Sequence, residues 1–122
     1  MNLSLELTQP DPLTNIEFEE LKTREEIIIE TRNSRYRFLV SDAAARRGYL
    51  SGGSVGEEPV KAVLMGVISK RGDTFVNDCE CLKTNGRAFF YLDSDGVMKH
   101  MVTSLITGLI HIKNIPEQKY IF

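Results

Sequence analysis

Apolar and polar side chains alternate along most of this chain, which is the mark of strands with one face turned to a core. The clearest case is a pair of β-rich runs, residues 26–32 and 35–41, on either side of Asn33-Ser34, a two-residue turn by composition. Counting outward from that turn sets Arg32 opposite Arg35, Thr31 opposite Tyr36, Glu30 opposite Arg37 and Ile29 opposite Phe38. Successive side chains point to opposite faces, so Ile27, Ile29, Phe38 and Val40 share one face with Thr31 and Tyr36, and that face is the expected core. The other face would carry Glu30 with Arg37 and Arg32 with Arg35.

The pattern continues with a turn at 42–45, a short strand at 47–51, and a loop by composition from Gly52 to Pro59. Residues 60–69 are apolar on both alternating sets, as in a strand buried on both sides or rolled through a barrel. Lys70-Arg71-Gly72-Asp73 punctuates the chain before a weaker strand at 74–82, and Thr84-Asn85-Gly86 makes a turn. Runs 87–92 and 97–103 flank Asp93-Ser94-Asp95-Gly96, a hairpin connection, and 104–113 closes the set. Residues 14–22 fit either a short helix capped by Thr14 or Asn15, or a strand alternating through Ile16 and Phe18. Short strands spaced by glycine-rich turns, with no long helical pattern between them, predict a mostly β fold. The expected form is a small antiparallel β-barrel or sandwich of about six or seven short strands, with at most one short helix near the N-terminus. Residues 1–12, where Leu3, Leu5 and Leu7 alternate ahead of Pro10 and Pro12, read as an N-terminal arm. Residues 13–113 form a single β domain, and 114–122, ending Tyr120-Ile121-Phe122, a tail.

Composition narrows the picture. The 122 residues are enough for one core, and 42% apolar with 26% charged is ordinary for a folded domain. The net charge of −2 excludes a protein that coats nucleic acid with its whole surface, so any anion site must be local. No apolar run approaches the roughly 18 residues of a membrane-spanning helix. The start Met1-Asn2-Leu3-Ser4-Leu5-Glu6 lacks the basic opening of a secretory signal. Cys79 and Cys81 are too few and too close for a disulfide framework, and together these features predict a reducing, cytoplasmic setting.

The chemistry-bearing feature is an arginine cluster, Arg32, Arg35, Arg37, Arg46 and Arg47, interleaved with Tyr36, Phe38 and Tyr49. Guanidinium forks suit phosphate and carboxylate oxygens, and an anion held between Arg32 and Arg35 would relieve two like charges facing across a ladder. Six glutamates between Glu17 and Glu30 offer the plainer alternative of surface ion pairing, worth roughly 0–1 kcal/mol per pair. Gly52-Gly53-Ser54-Val55-Gly56 lacks the lysine of a phosphate-binding loop and is followed by Glu57-Glu58, so it reads as a strand connection. Cys79 and Cys81, two apart on a strand, would share a face, but His100 and His111 sit at no motif spacing that would complete a zinc site. Asp93-Ser94-Asp95-Gly96 lacks the first and last ligands of a calcium loop, which would fall on Tyr91 and Val102. No nucleophile–base–orienter set stands out, and neither a cofactor nor a metal is called for.

Thr31-Arg32-Asn33-Ser34-Arg35-Tyr36-Arg37-Phe38, Leu50-Ser51-Gly52-Gly53 and Val102-Thr103-Ser104-Leu105-Ile106 together resemble a family of small bacterial β-rich proteins with no assigned activity. The resemblance implies a bacterial origin and a β domain, and it carries over no site residue. At the level of fold the chain is also similar to small SH3-like and Sm-like barrels. The expectation is a non-enzymatic β-barrel module that acts by binding a protein partner or by self-association. The alternative is binding of RNA, a nucleotide or another anion through Arg32, Arg35, Arg37, Arg46 and Arg47, with Tyr36 or Tyr49 stacking, although this register turns Tyr36 inward.

Overall fold

A computed structural model describes residues 11–113. The arm and tail expected at the two ends therefore lie outside the described residues, apart from Asp11 and Pro12. The described chain forms nine strands: β1 (Asn15–Glu17), β2 (Glu26–Thr31), β3 (Arg35–Asp42), β4 (Arg47–Gly52), β5 (Gly56–Arg71), β6 (Thr74–Asp78), β7 (Cys81–Lys83), β8 (Arg87–Ser94) and β9 (Val97–Ile112). All pairings are antiparallel, in the order β4-β3-β2-β9-β8-β5-β6, and β4 also pairs with β5. That last pairing closes six strands into a barrel and settles the choice between barrel and sandwich.

Closure depends on two 16-residue strands, β9 serving two partners and β5 three. β9 pairs with β8 over its first half and with β2 over its second. β5 pairs with β4 from Gly56 to Val63 and then, on the same edge, with β6 from Val67 to Arg71, while β8 takes its other edge. Each bend is a β-bulge, which adds a residue to one strand and sharpens its twist. One lies at Leu64/Gly66 against β8 and another opposite Arg87/Phe89. The sequence pattern suggested two strands at 97–103 and 104–113 because the alternation breaks there, but the break is a bulge inside one continuous strand. The Thr103 hydroxyl accepts from the Ala88 N–H at 3.0 Å and donates to the Ser104 carbonyl, so polar backbone groups at the irregularity stay partnered.

The barrel interior is filled by the inward face of each strand: Ile27 and Ile29, Tyr36, Phe38 and Val40, Leu50, Leu64 and Val67, Phe90, Ile106 and Leu109. Phe38 and Phe90 meet at its centre, ring centroids 5.4 Å apart and tilted by 59°, a favoured geometry for aromatic quadrupoles. The core face expected for the β2–β3 hairpin is therefore the one observed. β2 is buried on both faces, since Ile28 points outward beside Leu39 and Ile110 and all three are shielded from solvent. β1 pairs with β7, and with the 3-10 turn Phe18–Glu20 it brings Ile16, Phe18, Leu21, Cys81 and Leu82 into the same core. Residues 14–22 are thus a three-residue strand followed by a helical turn. The single strand expected over 74–82 is two, broken at Cys79-Glu80 where Asp78 accepts the Glu80 N–H. Among the described residues no helix is long and apolar enough to cross a membrane.

Candidate ligand-binding face

The β2–β3 register differs from the sequence count by two residues. Glu30 lies opposite Arg35, Ile29 opposite Tyr36, Ile28 opposite Arg37 and Ile27 opposite Phe38. The hairpin closes on Thr31 and Ser34, with Arg32-Asn33 as the tip: the Thr31 N–H and hydroxyl both donate to the Ser34 carbonyl, and the Ser34 N–H donates back to the hydroxyl. The tip is drawn toward β9, where the Arg32 N–H donates to the Leu105 carbonyl and the Asn33 amide to the Ser104 hydroxyl at 2.8 Å. A slip of two preserves which face each side chain occupies, so the core was placed correctly, but the expected facing of Arg32 with Arg35 does not exist. Arg35 instead stands 3.9 Å from Glu30. The like-charge argument for an anion at that point therefore falls away.

A different juxtaposition replaces it. On the outer face of β3, β4 and β5, Tyr49 has Lys61 opposite it on β5 and Leu39 opposite it on β3. Arg47 lies two residues along β4 on the same face, and Arg37 lies diagonally across on β3, opposite Ser51. Directly opposite and diagonal neighbours on a sheet stand about 5 and 7–8 Å apart, so three cationic residues occupy positions next to Tyr49 on this face. Arg37, Arg47 and Lys61 are all exposed, and none forms an ion pair with another described residue. Beside them Ser41, Arg47, Tyr49, Lys61, Asp93 and Met98 line a cleft of about 340 Å³.

Of the residues singled out in the sequence, the fold brings Arg35, Arg37, Arg47 and Tyr49 onto this face. Arg32 stays at the hairpin tip. Arg46 turns the other way: its backbone is left-handed (φ 56°), its guanidinium lies 4.7 Å from the centre of the Phe18 ring, and it donates to the Cys79 carbonyl. It lines a second cleft of about 390 Å³ with Glu17, Glu19 and Glu80, where three carboxylates oppose an anion. Tyr36 points inward as expected, its hydroxyl 3.3 Å from that of Ser54. Lys61 was missed because the β4–β5 pairing that sets it against Tyr49 leaves no local mark in either segment.

The remaining polar candidates separate. Cys79 is exposed in the break between β6 and β7 while Cys81 is buried at the start of β7, so the shared strand face expected for the two thiols does not form. The Cys81 thiol donates to Asp78 at 3.4 Å, and burial followed by that carboxylate pushes it up to about 11. Asp78 is held below its ordinary value by the Glu80 N–H and by the thiol. His111 is buried, 2.7 Å from the Glu25 carboxylate. His100 is exposed and packs with Tyr91 and Phe89 on the outer face of β8 and β9. No group of three or more His, Cys, Asp or Glu side chains among the described residues converges as a metal site would. Compared with protein-family models, with curated proteins and with solved structures, the chain matches none.

Proposed function

We propose that this barrel is a non-catalytic binding module whose ligand is a single-stranded nucleic acid, held on the outer face of β3–β5. The observation that carries the reading is the placing of three exposed cations, Arg37, Arg47 and Lys61, at sheet positions next to Tyr49, none of them ion-paired to another described residue. Single strands are bound by positive charges that track the backbone and by aromatic rings on which bases stack, and small barrels are a recurrent scaffold for both. The net charge of −2 is no obstacle, because three local cations suffice to follow a short stretch of phosphates. The free thiols Cys79 and Cys81 support a reducing, cytoplasmic setting in which such strands are met.

Fluorescence anisotropy with a labelled oligouridylate, titrated with salt, tests the reading. Three phosphate contacts to a single strand give a log–log salt slope of about −2. The double variant Arg37→Ala plus Arg47→Ala should weaken binding at least about tenfold and flatten that slope. A wild-type protein that ignores the oligomer at low salt overturns the proposal.

A second reading, docking of a protein partner or a second copy, is favoured by a separate set of side chains. Val97, Met98 and Val102 on β9 are 57%, 54% and 46% exposed, and Phe75 on the edge strand β6 is 68% exposed. Sedimentation velocity across a wide concentration range decides on self-association: a single monomer boundary throughout, unchanged by Met98→Ser, removes it.

A further inference from the structure

The cation ring does not end at β5. Arg47 lies opposite Val63, Val63 opposite Tyr91, and Tyr91 opposite His100, so one row of outward side chains crosses β4, β5, β8 and β9 without interruption. Neighbouring strands stand about 4.8 Å apart, which puts Tyr91 roughly 10 Å across the sheet from Arg47. At that end three rings touch. Tyr91 and His100 have centroids 4.6 Å apart, Phe89 and Tyr91 5.5 Å, and Phe89 and His100 5.6 Å in an edge-on arrangement. Phe89 and Tyr91 are partly exposed and His100 is exposed. Phe89 lies opposite Gly66 on β5, which carries no side chain to cover it. The neighbouring row reads Tyr49, Lys61, Asp93, Met98, so the same sheet carries a charged margin beside the rings. Its acid, Asp93, accepts the Gly96 N–H at 3.0 Å across the β8–β9 turn.

We propose that the Phe89–Tyr91–His100 cluster is the base-stacking platform of this face. The strand's backbone lies on Arg37, Arg47 and Lys61, and bases farther along it rest on Tyr91 and His100. This rests on the nucleic-acid reading above. Every base has a π-face, so stacking binds without sequence preference, and it contributes no counterion release. The two parts of the site therefore have different signatures: cations set the salt dependence, and the rings set affinity at constant slope.

The experiment is the oligouridylate titration with Tyr91→Ala and, separately, His100→Ala, whose exposed side chain can be removed without opening the core. Tyr91→Phe serves as the conservative control, and melting curves establish that each variant is folded. Tyr91→Ala should weaken binding about tenfold with the wild-type salt slope, and Tyr91→Phe should restore it. Photocrosslinking of the wild-type protein to a 4-thiouridine oligomer, mapped by mass spectrometry, should place adducts on Tyr91, His100 or Phe89, which reads the platform even if an alanine variant does not fold. Wild-type affinity in both alanine variants, or adducts confined to the β3–β4 hairpin, overturns the platform while leaving the cation ring standing. Equal binding of oligouridylate and its deoxy counterpart assigns the site to single strands in general, and an RNA preference assigns it to RNA. A wild-type protein that binds neither overturns the nucleic-acid reading itself.

Discussion

Glu25 and His111 meet where β9 pairs with β2, His111 opposite Ile27 and hence on the inward face. The imidazole Nε2 lies 2.7 Å from Glu25 Oε1, and that oxygen also accepts the Lys22 N–H at 2.9 Å. A buried polar group is tolerated when partnered and costly when orphaned. His111→Ala should therefore destabilise the protein by about 3 kcal/mol in urea unfolding, because it leaves a carboxylate buried beside a cavity. Glu25→Gln, which keeps an oxygen for both donors, should cost about 1 kcal/mol. Equal losses for the two variants would show that volume, not the hydrogen bond, is what matters there. Arg46 and Arg47 make the same point about position. They are adjacent and chemically identical, yet Arg46, in a left-handed turn, is spent on Phe18 and the Cys79 carbonyl, while Arg47, one residue into the strand, faces solvent. Composition marks both as anion binders, and only the turn geometry tells them apart.

At the scale of elements, the bulge at Gly66 is the joint on which β5 bends. Gly66 has φ of 140°, and a Cβ there would overlap the Asp78 carbonyl oxygen and stand 3.0 Å from Cys79 Cα. Gly66→Ala should destabilise the fold by at least about 2 kcal/mol, from backbone strain and from forcing β6 away from β5. A thermal melt checks the loss, and a wild-type melting temperature would mean that the bulge relaxes freely. Elements of this kind divide what the sequence could reveal from what it could not. Alternation placed Ile27, Ile29, Phe38 and Val40 on the core face, and that assignment survived a one-residue displacement of the turn because the resulting register slip of two conserves parity. The Asp95-Gly96 turn was legible because both residues adopt positive φ, 54° and 82°, which Asp-Gly supplies at little cost. The break near Ser104 was legible as a break but not as a bulge. The group around Tyr49 was half legible: Arg37, Arg47 and Tyr49 sit on adjacent strands joined by a short turn, whereas Lys61 joins them through the β4–β5 pairing and the Tyr91–His100 hairpin pair is set beside them by the β5–β8 pairing.

For the molecule as a whole, closure through β4 and β5 leaves β6 at the end of the strand order, paired among the described residues with β5 alone. Amide hydrogen exchange should reflect this: slow exchange over β2, β3, β8 and the paired halves of β5 and β9, and fast exchange over Phe75 and Val76. Uniform protection across β6 would mean that another chain pairs with its edge. The core and the proposed ligand face are also separate sets of residues. Phe38, Leu50, Leu64 and Phe90 fill the interior, while Arg37, Tyr49, Lys61 and Tyr91 alternate with them on the same strands and point the other way. Exposed outward substitutions cost little stability, generally within about 0.5 kcal/mol. Lineages carrying this barrel are therefore free to exchange their exposed outward residues one at a time, and the preference of the proposed ligand face can drift across a population without any intermediate having to survive a collapsed fold.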